Sequence, residues 1–103
     1  MATSKEYYEY IIENLNKIGE ITTRKMMGEY CVYYKSKLIG DICDNTFLIK
    51  QTETSMKIFA KNKRAYPYEG SKTLMIVIED AENAELLREV FEGMYDELPA
   101  SKK

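Results

Sequence analysis

The sequence predicts an α+β fold of two layers: an antiparallel five-stranded sheet with flanking helices, in the order α-β-β-β-β-α-β-α. Three observations carry that prediction. Both ends of the chain place apolar residues three and four apart, the spacing of amphipathic helices. Between residues 21 and 50, short β-branched and aromatic runs alternate with brief polar breaks, the pattern of strands joined by hairpins. A further apolar run, Leu74 to Ile78, stands alone between two helical segments. With 103 residues, no internal repeat and no linker, the chain reads as one domain spanning 1–103, large enough for a core without disulfides or metals.

Thr3 and Glu6 form a Thr-x-x-Glu capping box, so a first helix is expected to begin there. Tyr7, Tyr8, Ile11, Ile12, Leu15 and Ile18 give it one broad apolar face, and Gly19 ends it. Strands follow at Ile21 to Met27 and Tyr30 to Tyr34, with Gly28 marking a bulge or turn between them. Lys35-Ser36-Lys37 is a polar turn, Leu38 to Cys43 a third strand, Asp44-Asn45 a tight turn and Thr46 to Lys50 a fourth strand. Thr52 to about Lys61 reads as a short helix with Met56, Phe59 and Ala60 on its inner face. A loop from Asn62 to Lys72 holds Tyr66-Pro67-Tyr68-Glu69-Gly70, a turn by its proline and glycine. Leu74 to Ile78 is then the fifth strand. Asp80 caps a last helix whose inner stripe is Leu87, Val90, Phe91, Met94, Tyr95 and Leu98, stopped before Pro99.

Composition excludes several classes of function. Charged residues make up 31% and hydrophobic residues 45%, the balance of a folded soluble chain rather than a disordered one. The net charge of −2 weighs against a surface that grips nucleic acid all round. No apolar run approaches the roughly 20 residues of a membrane helix, and the first residues have no signal-peptide core, so a cytoplasmic location and no membrane partner are expected. Cys31 and Cys43 read as free, inert, buried thiols, because two cysteines without any histidine make neither a four-ligand zinc site nor a Cys-x-x-Cys pair. No metal and no cofactor are expected. The missing histidine also removes the commonest general base, and the five glycines are scattered rather than gathered in a phosphate loop, so the chain is not expected to be an enzyme.

Two groups of residues stand out as candidate surfaces. Arg24, Lys25, Gly28, Tyr30, Tyr33 and Tyr34 concentrate cations, a glycine and aromatics around one strand junction. Lys57, Lys61, Lys63, Arg64 and Lys72 face one acid, Glu69, over residues 57–72, while residues 79–97 hold eight acids against Arg88. Lys57, Lys61 and Arg64 would share a helical stripe if the short helix extends that far, and Tyr66 and Tyr68 follow it. Cations beside aromatics suit a phosphate backbone with stacked bases; basic residues near a helix C-terminus also simply offset its dipole. The strands Tyr30 to Tyr34 and Leu74 to Ile78 are apolar on both faces, so either the sheet is covered by its own helices and loops or curls around the helices, or a second copy of the chain packs on the sheet or its edge.

The run Arg24-Lys25-Met26-Met27-Gly28-Glu29-Tyr30 with Tyr33-Tyr34, then Phe47-Leu48-Ile49-Lys50 and Tyr66-Pro67-Tyr68-Glu69-Gly70, resembles the TfoX/Sxy N-terminal domain family across nearly the whole chain. The family motif often has Gly-Gly where this chain has Gly28-Glu29. The resemblance implies a compact two-layer α/β domain without a catalytic residue set, in a family whose named members regulate bacterial natural competence at the level of transcription. Because the sequence ends at Lys103, the expectation is a stand-alone copy lacking the C-terminal domain of the full-length regulators. Together these readings predict a non-enzymatic bacterial regulatory or adaptor domain acting through protein–protein contact, as a homodimer or with another regulatory protein. The alternatives are a weak nucleic-acid binder using the basic patch and a small enzyme of unrecognised type.

Overall fold

The computed structural model describes residues 3–26, 29–67 and 70–98. The first helix, α1 (Lys5–Asn16), is followed by β1 (Ile21–Met26), β2 (Glu29–Tyr34), β3 (Lys37–Cys43) and β4 (Thr46–Ile49). Then come α2 (Glu53–Ile58), β5 (Arg64–Ala65), β6 (Met75–Ile78) and α3 (Ala84–Tyr95). The sheet is antiparallel with strand order β1-β2-β3-β4-β6-β5 and has six strands, not the expected five. The extra strand is β5, two residues long, which pairs Arg64 with Ile76 and Ala65 with Met75 inside what reads as a loop. Two residues carry no periodicity, so the strand leaves no sequence signal.

The hairpins form where short polar breaks interrupt the apolar runs. Lys35 and Ser36 both have positive φ, 50° and 73°, as do Asp44 and Asn45, 49° and 55°. Two successive left-handed residues make the type I′ geometry whose twist matches that of paired strands. In β3, Gly40 lies under β4 so closely that a Cβ would stand 2.2 Å from the carbonyl oxygen of Leu48. The register between β2 and β3 shifts at Val32/Tyr33, beside that glycine.

Several helix boundaries differ from expectation. Ser4, not Thr3, caps α1 by accepting from the Tyr7 amide. Thr3 is instead buried, and its hydroxyl bridges the Ile42 carbonyl and the Asn45 amide, tying the chain start to the β3–β4 turn. Asn83, not Asp80, caps α3, while Asp80 accepts from the Glu82 amide one turn earlier. The second helix stops at Ile58 rather than near Lys61, because Phe59 leaves helical geometry at φ −107°, ψ 41°. Its inward residue is Ser55, fully buried, whose hydroxyl donates to the Lys50 carbonyl at 2.8 Å and completes a capping box with Thr52. Met56 is consequently exposed, and Phe59 alone of the expected trio packs on the core, with Ala60 exposed.

One large cluster joins Ile11, Leu15 and Ile18 before β1 to Leu87, Val90, Phe91 and Met94 of α3 over Val32, Ile39, Ile42, Phe47, Ile49 and Ile76. The helices thus lie on one face of the sheet, with α2 beside α3. The other face carries a smaller cluster, Cys43, Leu48 and Met75, with Ala65 and Val77 beside it. Among the described residues no helix is long and apolar enough to cross a membrane.

Candidate functional site: the outer sheet face and its edge

Alternation along the strands decides which candidate residues face outward. In β2, Val32 and Tyr34 point into the helical core and are buried. Tyr30 shares that side, stacked on Tyr8 of α1 with centroids 3.8 Å apart, while the Tyr8 hydroxyl sits 2.7 Å from that of Thr23. Tyr34, expected at an interaction surface, is 3% exposed, tilted against Phe91, and its hydroxyl donates to Glu92, which also pairs with Lys35 at 2.9 Å. Burial and the Glu92 carboxylate raise the Tyr34 pKa, and Tyr34 and Lys35 lower that of Glu92. The side chain of Tyr34 therefore belongs to the helix–sheet interface, because one register step fixes every second residue inward.

The opposite set, Cys31 and Tyr33, lies on the outer face, both half-buried. Arg24 and Lys25 sit on β1, the edge strand, whose residues Thr22, Arg24, Lys25 and Met26 are all exposed. Register places Arg24 opposite Cys31 on the outer face and Lys25 opposite Tyr30 on the helical side, so the two cations diverge. Gly28 lies outside the described residues.

Chemistry that the sequence left dispersed gathers on this outer face. Asp41 stands directly across from Cys31. Burial raises the Asp41 pKa; the Cys31 thiol opposes this by donating to its carboxylate, and Lys50 opposes it more weakly. The Cys31 thiol also lies 3.7 Å from the Met26 sulfur, and burial with Asp41 raises its pKa. Cys43 is pushed up to about 12 by burial and then by the carboxylates of Glu29 and Asp41. Both cysteines are free thiols, protonated at neutral pH and poor nucleophiles. Among the described residues no group of three or more acids or cysteines is arranged to hold a metal.

Next to this group the loop after β5 folds over the outer face. Pro67 is buried, and with Ser71 and Thr73 it walls a cleft of about 230 Å³. Leu38, Asp41, Lys50 and Met75 supply the other side. The far end of the loop is fixed by Gln51, whose amide donates to the Leu74 carbonyl at 3.0 Å and whose oxygen accepts from Arg64 at 2.9 Å. A second depression, about 290 Å³, lies between α1 and the ends of β4 and β6, where Tyr7 and Tyr10 approach Glu79.

The basic residues do not form the helical stripe, since α2 ends at Ile58. Arg64 lies in β5 and is spent internally: besides Gln51, its guanidinium donates to the carbonyls of Phe59 at 3.1 Å and Asn62 at 2.6 Å. Lys57, Lys61, Lys63 and Lys72 are exposed, and Tyr66 is 56% exposed beside β5. Tyr68 lies outside the described residues. Asp41 and Lys50, the charged pair of the cleft, were missed as site residues; the one available signal was a charged residue interrupting an otherwise apolar strand.

Residues 13–91 match the model of the TfoX N-terminal domain. An uncharacterised 12.7 kDa protein of the trpE 5′ region of Spirochaeta aurantia is 28% identical over 102 residues, covering 99% of this chain and 89% of that protein. No solved structure matches the chain.

Proposed function

The chain belongs to the TfoX N-terminal domain family, which is associated with competence regulators and is not a known enzyme family, and from that premise we propose a non-enzymatic regulatory or adaptor domain that acts in the cytoplasm through protein–protein contact. The observation that supports this reading is the free edge of β1. Among the described residues that strand pairs only with β2, leaving outward N–H and C=O groups along its outer side, with four of its six side chains exposed. Edges of this kind accept an added strand through main-chain hydrogen bonds, with neighbouring side chains setting specificity. A second copy of the chain supplies the same edge, and a twofold axis beside β1 joins the two sheets.

Sedimentation at low micromolar concentration tests the contact. A species of twice the 12.0 kDa chain mass is expected, reverting to monomer when Thr22→Lys adds a third cation to the edge. A clean monomer for the unaltered chain rules out the twofold contact. The regulatory role is tested separately, by the transcriptome of a strain lacking the gene; an unchanged profile removes it. A second reading, weak binding of single-stranded nucleic acid, is favoured by the exposure of Tyr66 close to Lys63 in sequence. Affinity that falls steeply with salt and with Tyr66→Ala supports that reading, and a signal insensitive to both eliminates it.

A further inference from the structure

The cleft on the outer face holds two opposite charges, Asp41 and Lys50, that are not in direct contact among the described residues. Asp41 lies across from Leu48, and Lys50 is two residues beyond Leu48, which makes Asp41 and Lys50 a diagonal pair on one face of adjacent strands. Diagonal positions are roughly 7–8 Å apart. Among the described residues neither side chain forms an ion pair within 4.0 Å, although both line the cleft. Its volume, about 230 Å³, falls below the roughly 300 Å³ at which drug-sized sites begin. The remaining lining divides into hydroxyls on the loop side, Ser71 and Thr73, and apolar groups, chiefly Leu38 and Met75.

We propose that this cleft binds a small zwitterion, an α-amino acid with an apolar side chain, its ammonium on Asp41 and its carboxylate on Lys50. The charges suit that assignment. An ammonium and a carboxylate on one carbon offer each member of the pair its opposite charge, through one charge-assisted hydrogen bond of about 2.8 Å apiece, from β3 and the end of β4, which present both residues to the same cleft. A dianion such as phosphate meets a carboxylate beside its only cation, and a simple amine leaves the lysine unanswered. The apolar wall gives a hydrocarbon side chain a place to leave water. Burial already opposes ionisation of Asp41, so an ammonium beside it favours the charged carboxylate. This site is independent of the β1 edge, since Asp41 and Lys50 belong to β3 and the end of β4.

The test is a titration of the ¹⁵N-labelled chain with L-leucine, followed by amide shifts. Saturable shifts are expected at Leu38, Asp41, Lys50, Ser71 and Thr73. Isoamylamine and 4-methylpentanoate, which each lack one of the two charges, should bind about tenfold or more weakly, as should Asp41→Asn and Lys50→Met with leucine. Glycine should bind more weakly than leucine. The dispersion of the amide spectrum reports whether each variant is folded, and the two half-ligands test the charge requirement on the unaltered chain. The proposal is overturned if leucine produces no saturable shift in the tens of millimolar, if shifts fall elsewhere, or if either half-ligand binds as well as leucine.

Discussion

Gly40 shows how one missing side chain sets the geometry of the sheet. A methyl group there meets the Leu48 carbonyl, which belongs to the β3–β4 ladder and cannot swing aside as a flexible side chain would. Gly40→Ala is therefore expected to destabilise by about 2–3 kcal/mol, the cost of forcing backbone apart in a packed region, and a denaturant midpoint measures it. Its neighbour Asp41 acts in the opposite sense. Its pKa is raised in the folded state by burial, so its favourable contribution is complete below the ordinary aspartate value and is lost as pH rises through the folded one. Asp41→Asn should thus raise the melting temperature at neutral pH, and the advantage should shrink as pH falls through the native Asp41 pKa and be gone below the ordinary aspartate value. A variant that is less stable than the parent at pH 7 contradicts this.

Between elements, polar side chains decide what hydrophobic patterning leaves open. Arg64 links the end of α2, Gln51 and, through Gln51, the loop that walls the cleft. Losing its three hydrogen bonds by Arg64→Ala should cost about 2 kcal/mol, a fall of roughly 10 °C in melting temperature for a domain of this size. Arg64→Lys should not rescue it, because an ammonium cannot serve three divergent acceptors from one planar fork; full stability in the lysine variant argues against the clamp. On the other side of α2, Glu97 accepts from the Thr54 amide and hydroxyl, and Thr52 and Thr54 lower its pKa. That support is present above the ordinary glutamate value and lost as pH falls through the lowered one. These polar ties explain which boundaries the sequence reveals. The α3 stripe from Leu87 to Met94 and the Asp44-Asn45 turn are legible because period and turn chemistry agree, although the helix ends at Tyr95, before the expected Leu98. Long-range partners decide the others: Thr3 is drawn from the cap to Ile42 and Asn45, and Ser55 rather than Met56 turns inward to reach Lys50.

At the scale of the molecule, the doubly apolar strands find a partial answer within the chain. The helices cover one face; on the other, Cys43, Leu48 and Met75 pack with Ala65 and Val77, and Pro67, Ser71 and Thr73 of the loop after β5 approach Met75. Apolarity on both faces was legible in Tyr30 to Tyr34; which loop residues approach the second face was not, because loops carry no hydrophobic period. What the described residues leave uncovered is the β1 end, with Met26 51% exposed and no described strand paired on the outer side of β1. Amide hydrogen exchange reads that edge directly. Along β1, alternate residues bond to β2 and the rest direct their N–H groups outward. In a monomer the outward set of Ile21–Met26 exchanges fast and the inward set slowly, a period-two alternation next to uniformly protected β3 and β4. If a second copy adds its edge, the outward set becomes protected as concentration rises while the inward set barely changes. Slowing of every second amide of β1 with concentration is the expected result. Uniformly fast outward amides at every concentration leave β1 a free edge, and protection appearing at Tyr33 and Leu38 instead moves the contact to the outer face.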